Sequence, residues 1–202
     1  MGKEAMFKLS YGLFVLTAEE NGKHNGCIVN TVMQVTETPN RISVTVNKNN
    51  YTHDMIMRSA RFTASVISEE ASFELFKHFG FSSGRDTDKF KDYKDSRLTE
   101  NGTMAVTSGT NAYISAKVTE TVDLGTHTMF IAEVSEAETL SESPSATYAY
   151  YHASIKPKPA TQKKEKTVWR CTVCGYEEET DELPDDFLCP LCNHGKEYFE
   201  KV

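Results

Sequence analysis

The sequence predicts a mainly β protein with two domains, a β-barrel with short helices followed by a small metal-binding domain. Residues 1–155 contain several strand-like segments separated by turn signals, which is typical of a barrel or a sandwich. Residues 156–167 are rich in Lys, Pro and Gln and lack apolar periodicity, so they are predicted to be a linker. Four of the five cysteines lie in residues 168–202, the predicted second domain.

The composition is that of a globular protein. The 202 residues are 39% hydrophobic and 25% charged, and no apolar run reaches the roughly 18 residues of a membrane span. No signal peptide is recognisable, so we expect a cytoplasmic protein without a membrane partner. The net charge of −7 argues against nucleic acid as a partner. Residues 169–202 have three basic and nine acidic side chains, which favours docking to a basic surface.

The first predicted elements are strands. Residues 11–18 are mostly apolar, and residues 41–47 alternate between apolar and polar side chains. Residues 26–36 form a longer strand-like run that is interrupted by the polar residues Asn30 and Thr31. Because buried polar groups need partners, this break indicates a functional site.

Two helices follow. Residues 50–59 predict a helix that Asn50 or Thr52 caps, and residues 68–79 predict another with a serine cap at its first position and a glycine after its last. The remaining predicted elements are a strand over residues 61–67, a polar loop over residues 80–101, and strands over residues 112–122 and 128–137.

The clustered cysteines are predicted to bind a metal ion. They form two Cys-x2-Cys pairs with 14 residues between them: Cys171, Cys174, Cys189 and Cys192. Each pair lets one tight turn present two thiolates, and two facing turns make a tetrahedral set of sulfur ligands. The ligands alone leave iron and zinc open. The fifth cysteine, Cys27, is expected to be a small buried apolar residue.

The residues around these cysteines resemble rubredoxin. The resemblance is carried by Gly175-Tyr176, by residues 183–187 (LPDDF) and by Pro190-Leu191, although the segment between the pairs is shorter than in free-standing rubredoxins. Its small aromatic core would consist of Trp169, Tyr176, Phe187 and Phe199. The resemblance implies one iron ion that passes single electrons, and a structural zinc ribbon is the alternative.

In the first domain, three polar clusters are candidate sites for a ligand that carries a phosphate and an aromatic ring. Lys48-Asn49-Asn50 lies at a strand-to-helix junction, where a cation and free helix N–H groups can hold a phosphate. Residues 82–85 combine hydroxyls, a flexible glycine and a guanidinium. The third cluster is the polar break at Asn30-Thr31.

Together with Asn25-Gly26, these clusters resemble the flavin reductase-like family over roughly residues 5–153. The resemblance implies an FMN-binding split barrel, usually a homodimer with its flavin near the subunit interface. It implies that the isoalloxazine ring faces Asn30, Thr31, Val32 and Met33. It implies that the ribityl phosphate is surrounded by Lys48, Asn49, Asn50 and Thr52, and that the pocket is closed by Ser83, Gly84, Arg85 and Lys89.

The segment Gly125-Thr126-His127 resembles the Gly-Asp-His turn of the same family, with Thr126 in place of the aspartate. The resemblance implies that His127 lies near the flavin and the nicotinamide, which makes it the candidate catalytic residue. A structural turn histidine is the alternative.

The two resemblances together imply an oxidoreductase that takes electrons from NAD(P)H through FMN to an Fe(Cys)4 centre. The fusion also resembles the high-molecular-weight rubredoxins of anaerobes, which implies a flavodiiron oxygen or nitric oxide reductase as the acceptor. Two alternatives stay open. One is a flavin-binding module with a structural zinc ribbon, which the identity of the metal tests. The other is a flavin reductase that releases reduced flavin to a monooxygenase, which the tightness of FMN binding tests.

Overall fold

The computed structural model describes residues 3–157 and 167–202. The chain divides into two units, Met1–Pro157 and Lys158–Val202. Most regular structure in both is β-strand, which confirms the mainly β prediction. Residues 158–166 of the predicted linker lie outside the described residues.

The first unit consists mainly of strands with short helices. Its strands are β1 (Phe14–Glu20), β2 (Lys23–Val29), β3 (Met33–Thr36), β4 (Arg41–Asn47), β5 (Arg61–Ile67), β6 (Ser96–Leu98), β7 (Met104–Val106), β8 (Thr110–Asp123) and β9 (His127–Thr139). Its helices are α1 (Tyr51–Ser59), α2 (Phe73–Gly80) and α3 (Tyr148–Tyr150), with a 3-10 helix at Lys3–Lys8 and a π-helical turn at Tyr151–Ile155.

Seven strands form one antiparallel sheet in the order β2-β1-β5-β8-β9-β4-β3. Strands β2 and β3 are its two edges, yet only residues 30–32 separate them along the chain. A link of this length spans at most about 14 Å, so the sheet must curl until its two edges approach each other. That curl gives the barrel that the alternating strands predict.

Apolar side chains of the sheet and of α1 fill the barrel. Val44 and Val46 on β4 are buried, as the alternation of this strand predicts, and they share one cluster with Phe130 on β9. Helix α1 adds Met55 and Ile56 to the same cluster. The burial of this apolar face fixes the position of α1, whose N-terminus reaches the site described below.

A second apolar cluster fixes α2. Phe76 and Phe79 of this helix pack with Val15 and Ile67 of the sheet. The ring of Phe76 also lies 4.4 Å from the ring of Tyr151, so the helical turn near residue 151 covers α2. This packing fixes the C-terminal end of α2, which lines the cavity described below.

The predicted start of the second helix is wrong. The helix begins at Phe73, after Ser72, and not at residue 68. The backbone N–H of Ser68 instead donates to the carbonyl of Gly109 at 3.0 Å, and Ser68 forms a β-bridge with Ser145. Long-range backbone bonds have replaced a locally plausible first turn.

Other bounds differ less. Strands β4 and β5 have the predicted bounds, and Asn50 caps α1 by accepting a hydrogen bond from the backbone N–H of Thr52 at 3.3 Å. The predicted loop over residues 80–101 contains the short strand β6. The sequence predicted neither β7 nor the helical turn at Tyr151–Ile155.

The second unit is a three-stranded sheet in the order β11-β10-β12. Its elements are β10 (Val168–Cys171), β11 (Glu177–Glu179), a 3-10 helix at Lys196–Tyr198, and β12 (Phe199–Lys201). Its core contains the predicted aromatic residues Trp169, Tyr176, Phe187 and Phe199. In neither described part of the chain is any helix long and apolar enough to cross a lipid bilayer.

Candidate functional site

The four predicted metal ligands converge in the second unit. The Sγ atoms of Cys171, Cys174, Cys189 and Cys192 all lie within 4.8 Å of one another. Cys171 Sγ and Cys192 Sγ are 3.6 Å apart, and Cys174 Sγ and Cys189 Sγ are 3.4 Å apart. Sulfur ligands at about 2.3 Å from one tetrahedral ion are about 3.8 Å apart, so this spacing fits a single bound ion.

The two Cys-x2-Cys turns have the same backbone hydrogen bonds. The residue after each pair donates its N–H to the carbonyl of the pair's first cysteine, Gly175 to Cys171 (2.9 Å) and Asn193 to Cys189 (2.8 Å). That first cysteine donates its own N–H to the carbonyl one residue further on, at 2.8 Å in both turns. Gly175 and Asn193 occupy equivalent left-handed positions, with φ of +78° and +61°. Local bonds therefore hold each pair of sulfurs.

The electrostatics of this centre favour the thiolate at Cys189, whereas at Cys174 and Cys192 the effect of backbone N–H groups is outweighed by burial and the neighbouring thiols, which raise the pKa of both. Burial raises the pKa of the Cys189 thiol, but the backbone N–H groups of Cys192 and Leu191 and the neighbouring thiols outweigh it and lower that pKa to about 6. The first cysteine of each pair is buried, whereas Cys174 is exposed, so one edge of the centre faces solvent. Four sulfur donors of this kind fit iron or zinc, in agreement with the prediction.

In the first unit, a cavity of about 280 Å³ lies between β2, the start of α1 and the end of α2. The structure brings together here five of the residues predicted to contact a flavin: Asn49, Asn50, Ser83, Gly84 and Lys89. Below, this cavity and its lining are called the phosphate cavity.

Lys89 gives the phosphate cavity a buried positive charge. Its side chain donates to the carbonyl oxygens of Gly26 and Phe79, both at 2.8 Å, and the residue is only 3% exposed. Burial lowers the pKa of this ammonium below the ordinary value of 10.5. Within the part of the chain that the structure describes, no carboxylate forms an ion pair with it. A buried cation is costly without a counter-charge, and an anionic ligand would supply one.

The N-terminus of α1 reaches the same cavity. Asn50, the N-cap, lines it and already accepts hydrogen bonds from the backbone N–H groups of Thr52 and His53. The positive dipole end of this nine-residue helix nevertheless favours an anion. Thr52 is fully buried, and its hydroxyl accepts a hydrogen bond from Asn25 Nδ2 at 2.9 Å. The chain's own residues thus fit a flavin phosphate, with Thr52 behind the helix start.

Lys48, which was predicted beside the phosphate, and Arg85, which was predicted to close the pocket, have carboxylate partners. Lys48 Nζ lies 2.6 Å from an Asp123 carboxylate oxygen, and Arg85 Nη2 lies 2.5 Å from an Asp54 carboxylate oxygen. Neither cation belongs to the lining of the phosphate cavity. Their charges are compensated near its rim, which distinguishes them from Lys89.

The polar segment Asn30-Thr31, which follows β2, is hydrogen-bonded to β4 and leads to an exposed residue. The Thr31 hydroxyl donates to the Thr45 carbonyl at 2.7 Å and accepts from the Thr45 N–H at 3.2 Å, which ties the connection to β4. Val32 packs against the barrel core, whereas Met33 is 64% exposed. The structure places Asn30 through Met33 at the sheet edge and outside the lining of the phosphate cavity.

His127 is the first residue of β9, where it pairs with Asn47 at the end of β4. Its Nδ1 lies 2.9 Å from the Thr126 hydroxyl, and the side chain is half-buried. The next residue, Thr128, is 2.9 Å from Nε2 of His53 on α1. His127 therefore lies on a hairpin that is fixed to α1, and its catalytic role stays a prediction.

Sequence reasoning missed the place of Tyr51 and Cys27 in this region. Tyr51 lines the phosphate cavity with its ring about 5 Å from two cations, Lys23 Nζ at 5.0 Å and the Arg85 guanidinium at 4.9 Å. Cys27 is buried in the core, as predicted, but also lines the cavity. Burial raises the pKa of its thiol, so it stays neutral. An aromatic residue directly after a helix cap was the available signal for Tyr51.

A larger cavity, of about 480 Å³, lies elsewhere on α2. Its lining includes the carboxylates of Glu70, Glu74 and Asp95. These negative charges disfavour a phosphate, so the smaller cavity around Lys89 is the better candidate despite its size.

Comparisons with known families divide the chain at the same place. The family described as flavin reductase like domain matches residues 6–158, and the family described as rubrerythrin, rubredoxin-like domain matches residues 169–200. The chain is 36% identical, over 232 aligned positions covering all of both chains, to the high molecular weight rubredoxin of Moorella thermoacetica. It is 40% identical, over 78% of this chain and 93% of the relative, to the ferric-chelate reductase (NAD(P)H) of Archaeoglobus fulgidus.

Solved structures show the same fold at lower identity. The NADH:FAD oxidoreductase SgcE6 of Streptomyces globisporus C-1027, in complex with NAD and FAD fragments, superimposes with a TM-score of 0.65 at 20% identity, covering 78% of this chain and 91% of that one. The flavin reductase HpaC complexed with NADP+ gives a TM-score of 0.62 at 22% identity, covering 72% and 90%.

Proposed function

Because this chain belongs to the flavin reductase-like domain family and ends in a rubredoxin-like domain, we propose that it carries electrons from NAD(P)H through FMN to an Fe(Cys)4 centre and on to an acceptor protein. One observation carries the proposal. The same chain holds a cavity with an uncompensated buried cation and a separate site of four converging thiols. The first suits a flavin phosphate, and the second suits an ion that changes its charge by one.

In the first unit, the chain's residues would bind FMN and orient it toward the nicotinamide. Lys89 and the first turn of α1 would hold the phosphate of FMN, while Asn49 and Ser83 line the same cavity. Asn30 through Met33 would border the ring, and His127 would contact the nicotinamide. A bound flavin would supply two-electron hydride acceptance and release of single electrons, and a bound iron would supply one-electron acceptance.

At the metal end, the chain holds its ligands still. The repeated backbone bonds of the two turns keep four thiolates in place, so a one-electron change requires little rearrangement. The exposed Cys174 lies next to Val173, which is 51% exposed, and Leu191 beside Cys192 is 72% exposed. An exposed apolar rim around an otherwise acidic module would be the place where the acceptor docks.

We infer that the acceptor has a basic docking face, because the second domain has nine acidic and three basic side chains. A flavodiiron oxygen or nitric oxide reductase is the acceptor we propose, on the resemblance to high-molecular-weight rubredoxins. We also propose a cytoplasmic homodimer, in which the exposed edge strand β3 and Met33 are available to a second copy.

The test is the metal and flavin content of the full chain, followed by its visible spectrum during anaerobic addition of NADH. We expect iron near one per chain, bound flavin, and loss of both oxidised absorptions on addition of NADH. Zinc in protein made under iron-replete anaerobic conditions would overturn the relay and leave a flavin module with a structural zinc ribbon. Iron that stays oxidised while flavin bleaches and dissociates would instead identify a reductase that releases its flavin.

A further inference from the structure

We propose that Asn25 is a positioning residue of the flavin site, and that it makes glycine necessary at position 84. Its side chain lies between the first turn of α1 and residues 82–85, and it sets the distance between these two walls of the phosphate cavity. The inference rests on the proposed function in one respect, because it takes the ligand of the cavity to be a flavin phosphate.

On one side, Asn25 holds the start of α1. The residue lies on β2 and is 1% exposed. Its Nδ2 donates to the Thr52 hydroxyl at 2.9 Å, and Thr52 belongs to the first turn of the helix that Asn50 caps. The amide nitrogen of Asn25 therefore fixes the wall of the cavity that the start of α1 forms.

On the other side, Asn25 lies directly against Gly84. A Cβ on Gly84 would overlap the amide oxygen and amide carbon of Asn25 and would lie 2.7 Å from its Nδ2. The φ angle of Gly84 is not in the left-handed region, so space and not backbone conformation requires glycine here. Lys23 Nζ also donates to the Gly84 carbonyl at 2.8 Å, which holds the same peptide.

The amide oxygen of Asn25 is buried and has no hydrogen-bond partner among the residues that the structure describes. An unpaired buried acceptor is costly, so a closer approach of a backbone N–H from residues 82–85 would stabilise the site. A phosphate held by Ser83 and Lys89, which line the same cavity as Gly84, would favour that approach. Phosphate binding and the Asn25 contact would thus reinforce each other.

The experiment compares FMN with riboflavin, which lacks the phosphate, on the full chain freed of flavin. Both dissociation constants are measured by flavin fluorescence for the wild type, Gly84→Ala, Asn25→Ala and the double variant. We expect Gly84→Ala to weaken FMN binding by about tenfold or more and riboflavin binding much less. The double variant should bind FMN more tightly than Gly84→Ala does, because removal of the amide makes room for the new Cβ.

Gly195→Ala is the matched control, since the three atoms nearest to a Cβ there belong to the end of the Glu197 side chain, in the second unit. It should leave both dissociation constants unchanged. If the wild type binds FMN and Gly84→Ala binds it equally well, the inference is overturned while the proposed function stands. Equal losses for FMN and riboflavin, or additive losses in the double variant, also overturn it. A wild type that binds no flavin overturns the proposed function itself.

Discussion

The metal centre and the phosphate cavity are built in opposite ways. Each turn of the metal centre closes its backbone bonds within six residues, and the second turn repeats the bonds of the first. The phosphate cavity needs β2, α1, the end of α2 and residues 82–89, which only the folded barrel brings together. A site closed by local bonds can be identified from spacing, whereas a site assembled from distant segments is found only as a set of candidates.

The largest effect should come from removing a buried metal ligand. Cys189→Ser replaces a thiolate that backbone N–H groups stabilise, so we expect nearly all bound iron to be lost. Flavin content and flavin reduction by NADH should remain, because residues of the other unit form that cavity. Metal analysis and absorption spectra of the purified full chain measure both quantities.

Cys27→Ser is the control for this substitution, since Cys27 is the one cysteine of the sequence outside the two pairs. It should keep the iron. If Cys189→Ser also loses its flavin, the two sites depend on each other and the comparison between them fails.

The next effect concerns the buried cation of the phosphate cavity. Lys89→Met removes a charge-assisted contact with the phosphate, which corresponds to about 10- to 100-fold weaker FMN binding. Lys91→Met, at an exposed lysine two residues away, should leave FMN binding unchanged. Titration of the flavin-free chain with FMN measures both. Equal affinities of the two variants for FMN would show that Lys89 stabilises the fold and does not contribute to FMN binding.

The sequence predicted which residues lie near the flavin site better than it predicted the role of each residue. Lys48, Asn50, Thr52 and Lys89 were all expected around the ligand. Lys48 is paired with Asp123, Thr52 is buried behind the helix start, and only Asn50 and Lys89 line the cavity. Ion pairs and burial depend on partners far along the chain, and no local pattern in the sequence contains them.

The same reason explains what the sequence missed. Asn25 is part of the resemblance to the flavin reductase-like family but was predicted to have no role of its own, and its contacts are with Thr52 and Gly84, 27 and 59 positions away. Ser68 looks like a helix cap, but its N–H donates to Gly109. By contrast, the alternation of β4 and the spacing of the cysteines predicted their structures well, because each depends on neighbours within a few residues.

The lowered pKa of Lys89 predicts a pH dependence of FMN binding. Above about pH 7 the phosphate stays doubly charged, so binding should weaken as the pH rises through the lowered pKa and Lys89 loses its charge. The free energy of unfolding of the flavin-free chain should instead rise with pH. Between the lowered pKa of the folded state and the ordinary pKa, the unfolded lysine keeps a proton that the folded one has released.

FMN dissociation constants between about pH 7 and pH 10 measure this effect. In Lys89→Met the constants should be flat over this range, and Cys27 should not contribute, since burial raises the pKa of its thiol. A slope that persists in Lys89→Met would assign the titration to another group.

The smallest expected effect is a difference in stability between substitutions in the two metal-binding turns. Gly175→Ala puts a Cβ where no atom of the described residues lies within 4 Å, so its cost should come from the φ of +78° and be about 1 kcal/mol. Asn193→Gly, at the equivalent position, should change stability by less than about 0.5 kcal/mol, because asparagine tolerates this conformation. Trp169 is the one tryptophan of the chain, so its fluorescence during denaturant unfolding of the zinc-loaded protein follows the second unit. Equal changes in stability in the two variants would mean that the left-handed φ does not determine the stability of these turns. Contacts outside the turns would then hold the sulfurs, and the metal centre would no longer differ from the phosphate cavity in this respect.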